Sequence, residues 1–408
     1  MRVLVAHNRY RFSGGEDSVV RNEVEMLRAA GHEVAMLEAN NRTINGSLAT
    51  IAAAGSTFHS PRSQRRMESL LHEFRPDVVH IHNWFPLLSP SAMTTAAERG
   101  VPVVQTLHNF RLVCAGANLF RDGQICCDCV GKALPLAPVL HGCYGRSRAG
   151  SAVVAAAFAY HRLAHTWDNV SIFIVLSEFH RRMLVCGGLD PAKTVVKPNF
   201  VRRGEGAGKG RGGFALFVGR LVPEKGIGTV LRAWEQNAHL PRLKIMGEGP
   251  LADEVRSRAM RLPHVEYLGQ QPRSAVAEAM GEARLLVFAS EGYETFALAI
   301  LESLAAGTPV IAADLPSIVE LVREGETGLH FAPGDSRDLA VKVGMIGAET
   351  QSYQEMRRCC RAIYEQRYTE AMNYRLLIDI YRRAGVSALR DSHAPHAQSA
   401  GMIGAAGR

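Results

Sequence analysis

Long hydrophobic runs are missing from this 408-residue sequence. No stretch reaches about 18 consecutive apolar residues, the length that a membrane-spanning helix needs. The apolar residues 1–6 give way at once to polar residues, and this start is too short for the core of a secretory signal. The sequence therefore predicts a cytoplasmic protein without a membrane-spanning helix. Residues 149–160, which are short and rich in small side chains, are expected to form a packed helix.

Two common ligand-binding patterns are also missing. The glycines of Ser13-Gly14-Gly15 follow an expected strand, but the G-x-G-x-x-G spacing is incomplete, which disfavours a dinucleotide cofactor. No basic stretch is interleaved with aromatic side chains, so no nucleic-acid partner is expected. Gly14 and Gly15 can still present bare backbone N–H groups to a phosphate or a sugar.

Positive charge is concentrated in one half of the chain. The net charge is +8, and residues 1–200 carry 21 Lys and Arg against 15 Asp and Glu. Such a basic half can attract acidic lipid head groups or phosphorylated substrates, although an ordinary solvated surface can carry the same excess. Arg62, Arg65 and Arg66 precede an amphipathic stretch and are the expected contacts with an anionic membrane surface, which would make the protein peripheral on the inner face of the membrane.

Short apolar runs alternate with helical patterns along most of the chain. Several runs are continuous in Val, Ile and Leu, as in parallel strands that are covered on both faces. This alternation predicts an α/β fold with doubly wound sheets. The expected strands are 2–6, 33–37, 78–81, 103–107 and 172–176 in a first series, and 215–218, 243–246, 265–268, 285–288 and 310–312 in a second.

One break divides the two series. Residues 201–213 are rich in Arg and Gly and have almost nothing to bury, which is a linker composition. We therefore expect a first domain over 1–200 with a Cys-rich insertion around 114–143, and a second over 214–370. A C-terminal helix is expected over 371–385, and the Gly-, Ala- and Ser-rich residues 386–408 are expected to be a disordered tail.

Two carboxylates in the segment 291–309 suggest a ligand site. Glu294 and Glu302 are eight residues apart, and if a helix begins near Phe296, Glu302 lies about 9 Å beyond the loop that holds Glu294. In a nucleotide sugar the hexose and the ribose have comparable spacing. The backbone N–H groups of residues 296–298 (Phe296, Ala297 and Leu298) can then bind the diphosphate between them. An ordinary amphipathic helix with two solvated Glu is the alternative.

Two further loops of the second domain follow strands. Arg220 offers a planar fork to phosphate oxygens and Lys225 a point charge, so the pair can neutralise a diphosphate without a metal. Gly247 lets the backbone approach a base or a phosphate closely. Strand-end loops of open α/β sheets are where ligands bind. A plain surface turn is the alternative for each loop, but their occurrence in one domain with Glu294 and Glu302 favours a site.

In the first domain, His108 ends an expected strand and can hydrogen-bond a sugar in the cleft, although a lone His at a strand end is more often structural.

The chain resembles glycosyltransferase family 4, the retaining transferases of the GT-B architecture, in which two Rossmann-like domains face each other across a cleft. The resemblance covers nearly the whole chain and is most specific over 219–226, 247–251 and 291–309.

The resemblance implies roles for these residues. Arg220 and Lys225 would hold the donor pyrophosphate, Glu294 the donor sugar and Glu302 the ribose. His108, with the Gly14-Gly15 loop, would act at the sugar end of the cleft, which makes Glu294 and His108 the candidate catalytic residues. The usual family motif Glu-Gly-Phe-Gly is replaced by Glu294-Thr-Phe-Ala in this sequence. The identity of the donor sugar is therefore not predicted.

The implied reaction is retaining transfer of a hexose from a nucleotide-diphosphate sugar to a saccharide or lipid-linked acceptor, as in polysaccharide or glycolipid synthesis. No side chain stands out as a covalent nucleophile, and no metal or other cofactor is expected. Charge on the departing diphosphate is the main thing to stabilise. A sugar-nucleotide epimerase of the same fold and a non-catalytic nucleotide-sugar-binding protein are the alternatives.

Four of the eight cysteines lie close together in the sequence, namely Cys114, Cys126, Cys129 and Cys143. Four thiolates at such positions can hold a structural Zn²⁺ that pins an inserted loop. Free packed thiols are the alternative, and a cytosolic protein should not need disulfides.

Overall fold

The computed structural model describes residues 1–11, 14–202, 208–346 and 350–389, so the expected tail after 389, part of the expected linker and Ser13 lie outside the described residues. The chain forms fourteen described strands, numbered in chain order. Their bounds are β1 Arg2–Arg9, β2 Glu33–Asn40, β3 Val78–Asn83, β4 Val103–Thr106, β5 Phe120–Arg121, β6 Gln124–Ile125, β7 Ile172–Val175, β8 Thr194–Val196, β9 Phe214–Val218, β10 Arg242–Met246, β11 Val265–Gly269, β12 Leu285–Phe288, β13 Val310–Ala313 and β14 Gly328–Phe331.

Fourteen described α-helices connect or flank these strands. In the first half they are α1 Gly15–Ala29, α2 Gly46–Ser56, α3 Pro61–Phe74, α4 Ser91–Glu98, α5 Ala137–His141, α6 Arg148–Leu163 and α7 Glu178–Cys186. In the second half they are α8 Ile227–Gln236, α9 Ala252–Ala259, α10 Arg273–Glu282, α11 Leu298–Ala306, α12 Ser336–Met345, α13 Gln351–Arg367 and α14 Glu370–Arg383.

The strands build two parallel six-stranded sheets. The first has the order β2-β1-β3-β4-β7-β8, the second the order β11-β10-β9-β12-β13-β14, and β5 and β6 form a separate antiparallel hairpin. In each sheet the chain runs from its first strand out to one edge and then continues on the other side of that first strand, which is the doubly wound topology. This confirms the expected α/β fold with two Rossmann-like sheets.

All ten expected strands are present, with ends that differ by at most three residues. The continuous apolar run of β13 is buried on both faces, and the six residues of β3 are also all buried, although they include His80, His82 and Asn83. The expected packed helix is α6, which runs from Arg148 to Leu163. Strands β8 and β14 were not expected, because three or four residues of mixed polarity carry no clear pattern.

The C-terminal helix α14 returns to the first domain. Its Leu377 and Ile380 pack with Val3 and Val5 of β1 in one apolar cluster. Asn373 accepts a hydrogen bond from Lys197 at 2.9 Å, which ties α14 to the end of β8. The chain therefore passes between the domains twice, once after β8 and once between α13 and α14.

Among the described residues, no helix has both the length and the apolar character to cross a membrane.

Candidate active site

Most of the residues that the sequence pointed to line one cavity between the domains. The cavity has a volume of about 500 Å³ and lies at the carboxyl ends of β9 and β12. The first domain contributes the start of α1 and the second domain the loops that follow its strands. The expected residues that line this cavity are Gly14, Gly15, Arg220, Lys225, Glu294, Phe296, Ala297, Leu298 and Glu302.

Lys225 and Glu294 are paired inside this cavity. The ammonium of Lys225 lies 2.5 Å from Oε1 of Glu294, and the hydroxyl of Ser290 donates to the same oxygen at 2.6 Å. Arg220 is exposed and makes no ion pair within the described part of the chain. Of the two expected cations, Lys225 is therefore paired with a carboxylate, while Arg220 is available to an anionic ligand; Arg273 is a third cationic side chain that lines the cavity.

Helix α11 begins two residues later than expected. It starts at Leu298 with Ala297 as its N-cap, so Phe296 lies before the helix. The N–H groups of its first turn are therefore those of Leu298 and the residues after it, not those of Phe296 and Ala297. Glu302 lies about 6 Å along the axis from Leu298, at 1.5 Å per residue. The helix start still faces the cavity, because residues 296–299 all line it.

At Gly15 and at Gly247 a side chain is excluded for different structural reasons. A Cβ on Gly15 would lie 2.9 Å from Cδ1 of Leu298, so Gly15 lets α1 approach α11 across the cleft. Gly247 has a φ of +154°, and a Cβ there would lie 1.9 Å from the carbonyl oxygen of Gly219. Gly247 does not line the cavity as the described residues form it. It supports the loop of Gly219, and its binding role stays a prediction.

His108 is held at the domain boundary, next to the cavity rather than in its lining. Its carbonyl oxygen accepts a hydrogen bond from the hydroxyl of Thr295 at 2.8 Å. The carbonyl of Thr295 accepts a bond from Ser177 at 3.1 Å. Thr295, which the sequence showed only as a departure from the usual glycine, thus joins the two domains from both its side chain and its backbone.

Behind His108 lies a buried ionic cluster that the sequence did not reveal. Glu23 of α1 lies 3.1 Å from the ammonium of Lys197, and both side chains are 2% exposed. His80 and His82 of β3 each place a ring nitrogen 3.1 Å from Oε1 of Glu23. Nδ1 of His82 lies 3.0 Å from Nε2 of His108. A chain of polar contacts therefore runs from the core to the cleft.

A second unexpected group is Glu16, in the first turn of α1. Burial raises the pKa of its carboxyl to about 8, and Tyr10 and Asn83, which favour its charged form, do not offset this. The side chain is 10% exposed. A carboxylic acid that keeps its proton at neutral pH beside a cleft is a functional candidate. Glu16 could have been identified from the sequence, because it directly follows the expected binding loop Gly14-Gly15.

A second cavity opens between α1 and β2, in the first domain. It has a volume of about 260 Å³. Four exposed arginines and two carboxylates line it, so its charge is positive: Arg9, Arg21, Arg28 and Arg42 against Asp17 and Glu38. Arg9 is paired with Glu38, whereas Arg21 has no ion-pair partner among the described residues. Scattered arginines in sequence gave no sign of this convergence.

The cysteine-rich insertion contains the β5–β6 hairpin. All eight cysteines are free. Burial and the neighbouring thiols raise the pKa of Cys129 to about 12, so this thiol is protonated at neutral pH. The described residues that could hold a metal ion comprise Glu23, His80 and His82, and the four cysteines Cys114, Cys126, Cys129 and Cys143 do not bring three sulfurs within 4.8 Å of one another. Cys129 interacts with the thiols of Cys114, Cys126 and Cys143, and the structural zinc stays a prediction, with free thiols as its alternative.

Comparison with known proteins agrees with this geometry. Residues 14–199 match the family model described as glycosyl transferase 4-like domain, and residues 213–347 match the one for glycosyl transferases group 1. The phosphatidyl-myo-inositol mannosyltransferase of Mycolicibacterium smegmatis is 27% identical over 368 residues, 85% of this chain and 84% of the relative. A glycogen synthase of Mycobacterium tuberculosis is 25% identical over 334 residues, 79% of this chain and 71% of the relative.

Solved structures share the fold over almost the full chain. A glycosyltransferase from Rickettsia africae superposes with a TM-score of 0.67 at 14% identity and covers 96% of this chain and 99% of its own. Anabaena HepE, crystallised with UDP, gives a TM-score of 0.62 at 16% identity and covers 93% and 99%. The protein is therefore a glycosyltransferase of the GT-B architecture, with its cavity between two Rossmann-like domains. Within that class the chain belongs to the family 4-like glycosyltransferases, as its motifs predicted.

Proposed function

We propose that this enzyme transfers a hexose, with retention, from a nucleoside-diphosphate sugar to a saccharide or lipid-linked acceptor. The observation that carries the proposal is the composition of the 500 Å³ cavity. Arg220 and Lys225 offer cations for a diphosphate, and Glu294 and Glu302 offer carboxylates for sugar hydroxyls. Relatives are named as a mannosyltransferase and a glycogen synthase, and a structural neighbour was crystallised with UDP.

The mechanism follows from the charge that each group in the cavity can stabilise. The bond from the anomeric carbon to the diphosphate breaks while the acceptor hydroxyl attacks the same face, and the departing oxygen takes the acceptor proton. Negative charge grows on the diphosphate, where Arg220, Lys225 and the N-terminus of α11 stabilise it. When the diphosphate engages Lys225, Glu294 is released to accept hydrogen bonds from the hexose.

We also propose that the reaction needs no metal ion. Three cationic side chains, Arg220, Lys225 and Arg273, and the N-terminus of α11 line the described cavity. These groups supply the charge that Mg²⁺ would otherwise bring to a leaving diphosphate.

The direct test is a panel of UDP-, GDP- and ADP-hexoses incubated with candidate acceptors. Release of nucleoside diphosphate that depends on acceptor, with formation of a glycoside of retained configuration, is expected for one donor class. Glu294→Gln should abolish most of this release, and Glu278→Gln, an exposed glutamate on α10, is the matched control. Tight binding of a donor without turnover would support a binding protein, and altered free hexose without acceptor would support an epimerase.

The arginine-lined cavity between α1 and β2 suggests an acceptor with an anionic group. Arg21 points into it without an ion-pair partner in the described chain. The cavity begins on the turn of α1 that follows the Gly14-Gly15 loop, so it adjoins the donor cavity. A phosphate-bearing acceptor fits this charge, and the name of the mannosyltransferase relatives also describes a phosphate-bearing lipid acceptor.

We further propose that the first domain docks on an anionic membrane. Leu48 and Ile51 of α2 are 85% and 68% exposed, and Arg62 and Arg65 follow on α3. Exposed apolar and basic side chains together favour the interface of an acidic bilayer. Arg66 contributes less than expected, because its guanidinium donates to the carbonyl of Glu38 at 2.9 Å.

Liposome flotation tests the docking. Binding to vesicles with phosphatidylglycerol should exceed binding to pure phosphatidylcholine, and the double variant Arg62→Glu with Arg65→Glu should lower it. The variant Arg337→Glu with Arg358→Glu makes the same charge change on the second domain and should leave binding in place. Equal flotation with neutral vesicles would refute the proposal.

A further inference from the structure

A carboxylate of the second domain caps a helix of the first domain. Helix α7 begins at Glu178, and the first N–H groups of a helix have no partner within it. Oε2 of Glu320 accepts a hydrogen bond from the N–H of Glu178 at 2.8 Å, and Oε1 accepts one from the N–H of Phe179 at 2.7 Å. The hydroxyl of Ser177, the N-cap, accepts from the N–H of His180 at 3.1 Å. Two N–H groups of the helix start are therefore bonded by the opposite domain.

The residues around Glu320 hold it in the second domain. It lies between β13 and β14, and its neighbours Ile318, Leu321 and Val322 are buried in the apolar core of that domain. The start of a helix carries partial positive charge, which stabilises a carboxylate. Hydrogen bonds to an ionised group are also stronger than those between neutral groups. Glu320 therefore forms a specific link between the two domains.

The start of α7 also contacts the loop that holds Glu294. The ring of Tyr293 packs on the ring of Phe179, with the centroids 4.6 Å apart. The hydroxyl of Ser177 donates to the carbonyl oxygen of Thr295 at 3.1 Å. Both sequence neighbours of Glu294 are therefore anchored on the first turn of a helix that belongs to the other domain.

These contacts complement the ones inside the second domain. Lys225 and Ser290 both bond Oε1 of Glu294, so they hold the tip of its side chain. Ser177 and Phe179 hold the residues on either side of it, so they hold its backbone. The position of Glu294 in the cavity thus depends on both domains.

We infer that Glu320 is a positioning residue for the proposed transfer: by capping α7 from the second domain, it keeps the start of α7 against residues 293–295 and so sets the position of Glu294. The inference rests on the proposed function for the role of Glu294. The groups proposed for the diphosphate, Arg220, Lys225 and the start of α11, all belong to the second domain. Loss of the cap should therefore lower turnover much more than affinity for a nucleoside diphosphate.

Hydrogen–deuterium exchange on the full chain tests the cap without any substrate. The amides of Glu178 and Phe179 should be protected in the native protein, because both are bonded to Glu320. Glu320→Ala removes both acceptors and should speed their exchange about tenfold or more. Glu320→Gln keeps one carbonyl oxygen and should give an intermediate rate. Glu278→Gln replaces an exposed glutamate of the same domain and should leave the exchange of these amides unchanged.

Kinetics give a second readout. Glu320→Ala should lower kcat/KM about tenfold, because hydrogen bonds of a charged group are lost between the domains. Glu320→Gln should lose less. Titration calorimetry with the nucleoside diphosphate of the preferred donor should give native affinity in both variants. A purely structural defect of the second domain would weaken this affinity together with turnover.

Unchanged exchange at residues 178 and 179 in both variants would overturn the inference. Native turnover despite faster exchange would do the same, and so would a parallel loss of turnover and nucleotide affinity. If Glu320→Ala does not fold, Glu320→Gln, which has the same shape as the native residue, decides by the same two measurements. Absence of turnover with every donor would instead refute the proposed function, while the exchange measurement would still test the cap.

Discussion

The ammonium of Lys225 lies 2.5 Å from Oε1 of Glu294, so two residues that are expected to bind different parts of the donor are paired with each other. The pair joins the loop after β9 to the loop after β12. The contact balances the charges of the two side chains. A bound diphosphate must share or replace this contact, which couples recognition of the phosphates to recognition of the sugar.

Replacement of Lys225 should therefore affect turnover strongly. In Lys225→Ala we expect kcat/KM to fall by about 10²-fold or more, the typical loss for one electrostatic group at a developing charge. Lys342 lies on α12, with its ammonium 3.6 Å from Glu324, and Lys342→Ala should change turnover little. Steady-state release of nucleoside diphosphate is the measurement, and near-normal rates in Lys225→Ala would exclude a role at the diphosphate.

Thr295 should matter through its hydroxyl. Thr295→Val removes the 2.8 Å bond to the carbonyl of His108 while it keeps the shape of the side chain. We expect kcat/KM to fall about tenfold, because a bond across the domain boundary is lost. Thr295→Ser should retain activity. Thr295→Gly, which restores the usual family residue, should be as impaired as Thr295→Val, and full activity in the glycine variant would contradict this role.

The buried carboxyl of Glu16 predicts a dependence of stability on pH. Burial raises its pKa from 4.5 to about 8. Between these values the unfolded chain releases a proton that the native state keeps, so the free energy of unfolding falls as pH rises. The penalty reaches about 3 kcal/mol at pH 7. Asp17 adds to the shift, and Arg111 opposes it.

Glu16→Gln should remove this penalty. In urea titrations the variant should be more stable than the native protein at pH 8, and the difference should shrink toward pH 5. Glu278→Gln, an exposed carboxyl, is the control and should show no such trend. A stability difference that is constant across this pH range would mean that Glu16 is ionised in the native state.

Removal of metal ions should leave the transfer unchanged. We expect enzyme treated with EDTA to keep its rate within about twofold, because we propose that Arg220, Lys225 and the start of α11 stabilise the leaving diphosphate. The measurement is turnover before and after chelation, followed by addition of Mg²⁺ or Mn²⁺. A loss that either ion restores would refute metal-independent transfer.

The sheets could be predicted from sequence because parallel strands buried on both faces leave continuous apolar runs. The residues of β12 and β13 show this pattern. The sharing of one cavity by Arg220, Lys225 and Glu294 could also be predicted, because each of them follows a strand of one sheet. Parallel strands place such loops along a single edge.

The contacts across the two domains could not be predicted in this way. Glu23 and Lys197 are 174 residues apart, and Thr295 and His108 are 187 apart. Neither pair belongs to a local pattern, since each depends on how two elements pack. The sequence of α1 gives no sign that Glu23 is buried, although its side chain is only 2% exposed. The helix start at Leu298 was shifted because Ala297 has no side chain that marks a cap.

The return of α14 to the first domain makes the second domain an insertion with two attachments. A body fastened at two points turns most readily about the line that joins them. Opening of the cleft is then expected to be a hinge rotation about the axis through the two connections, which separates the two sheets and returns them to the same relative position. Contacts such as that of Thr295 with His108 can re-form after each rotation, because the two connections restrict the relative motion of the domains.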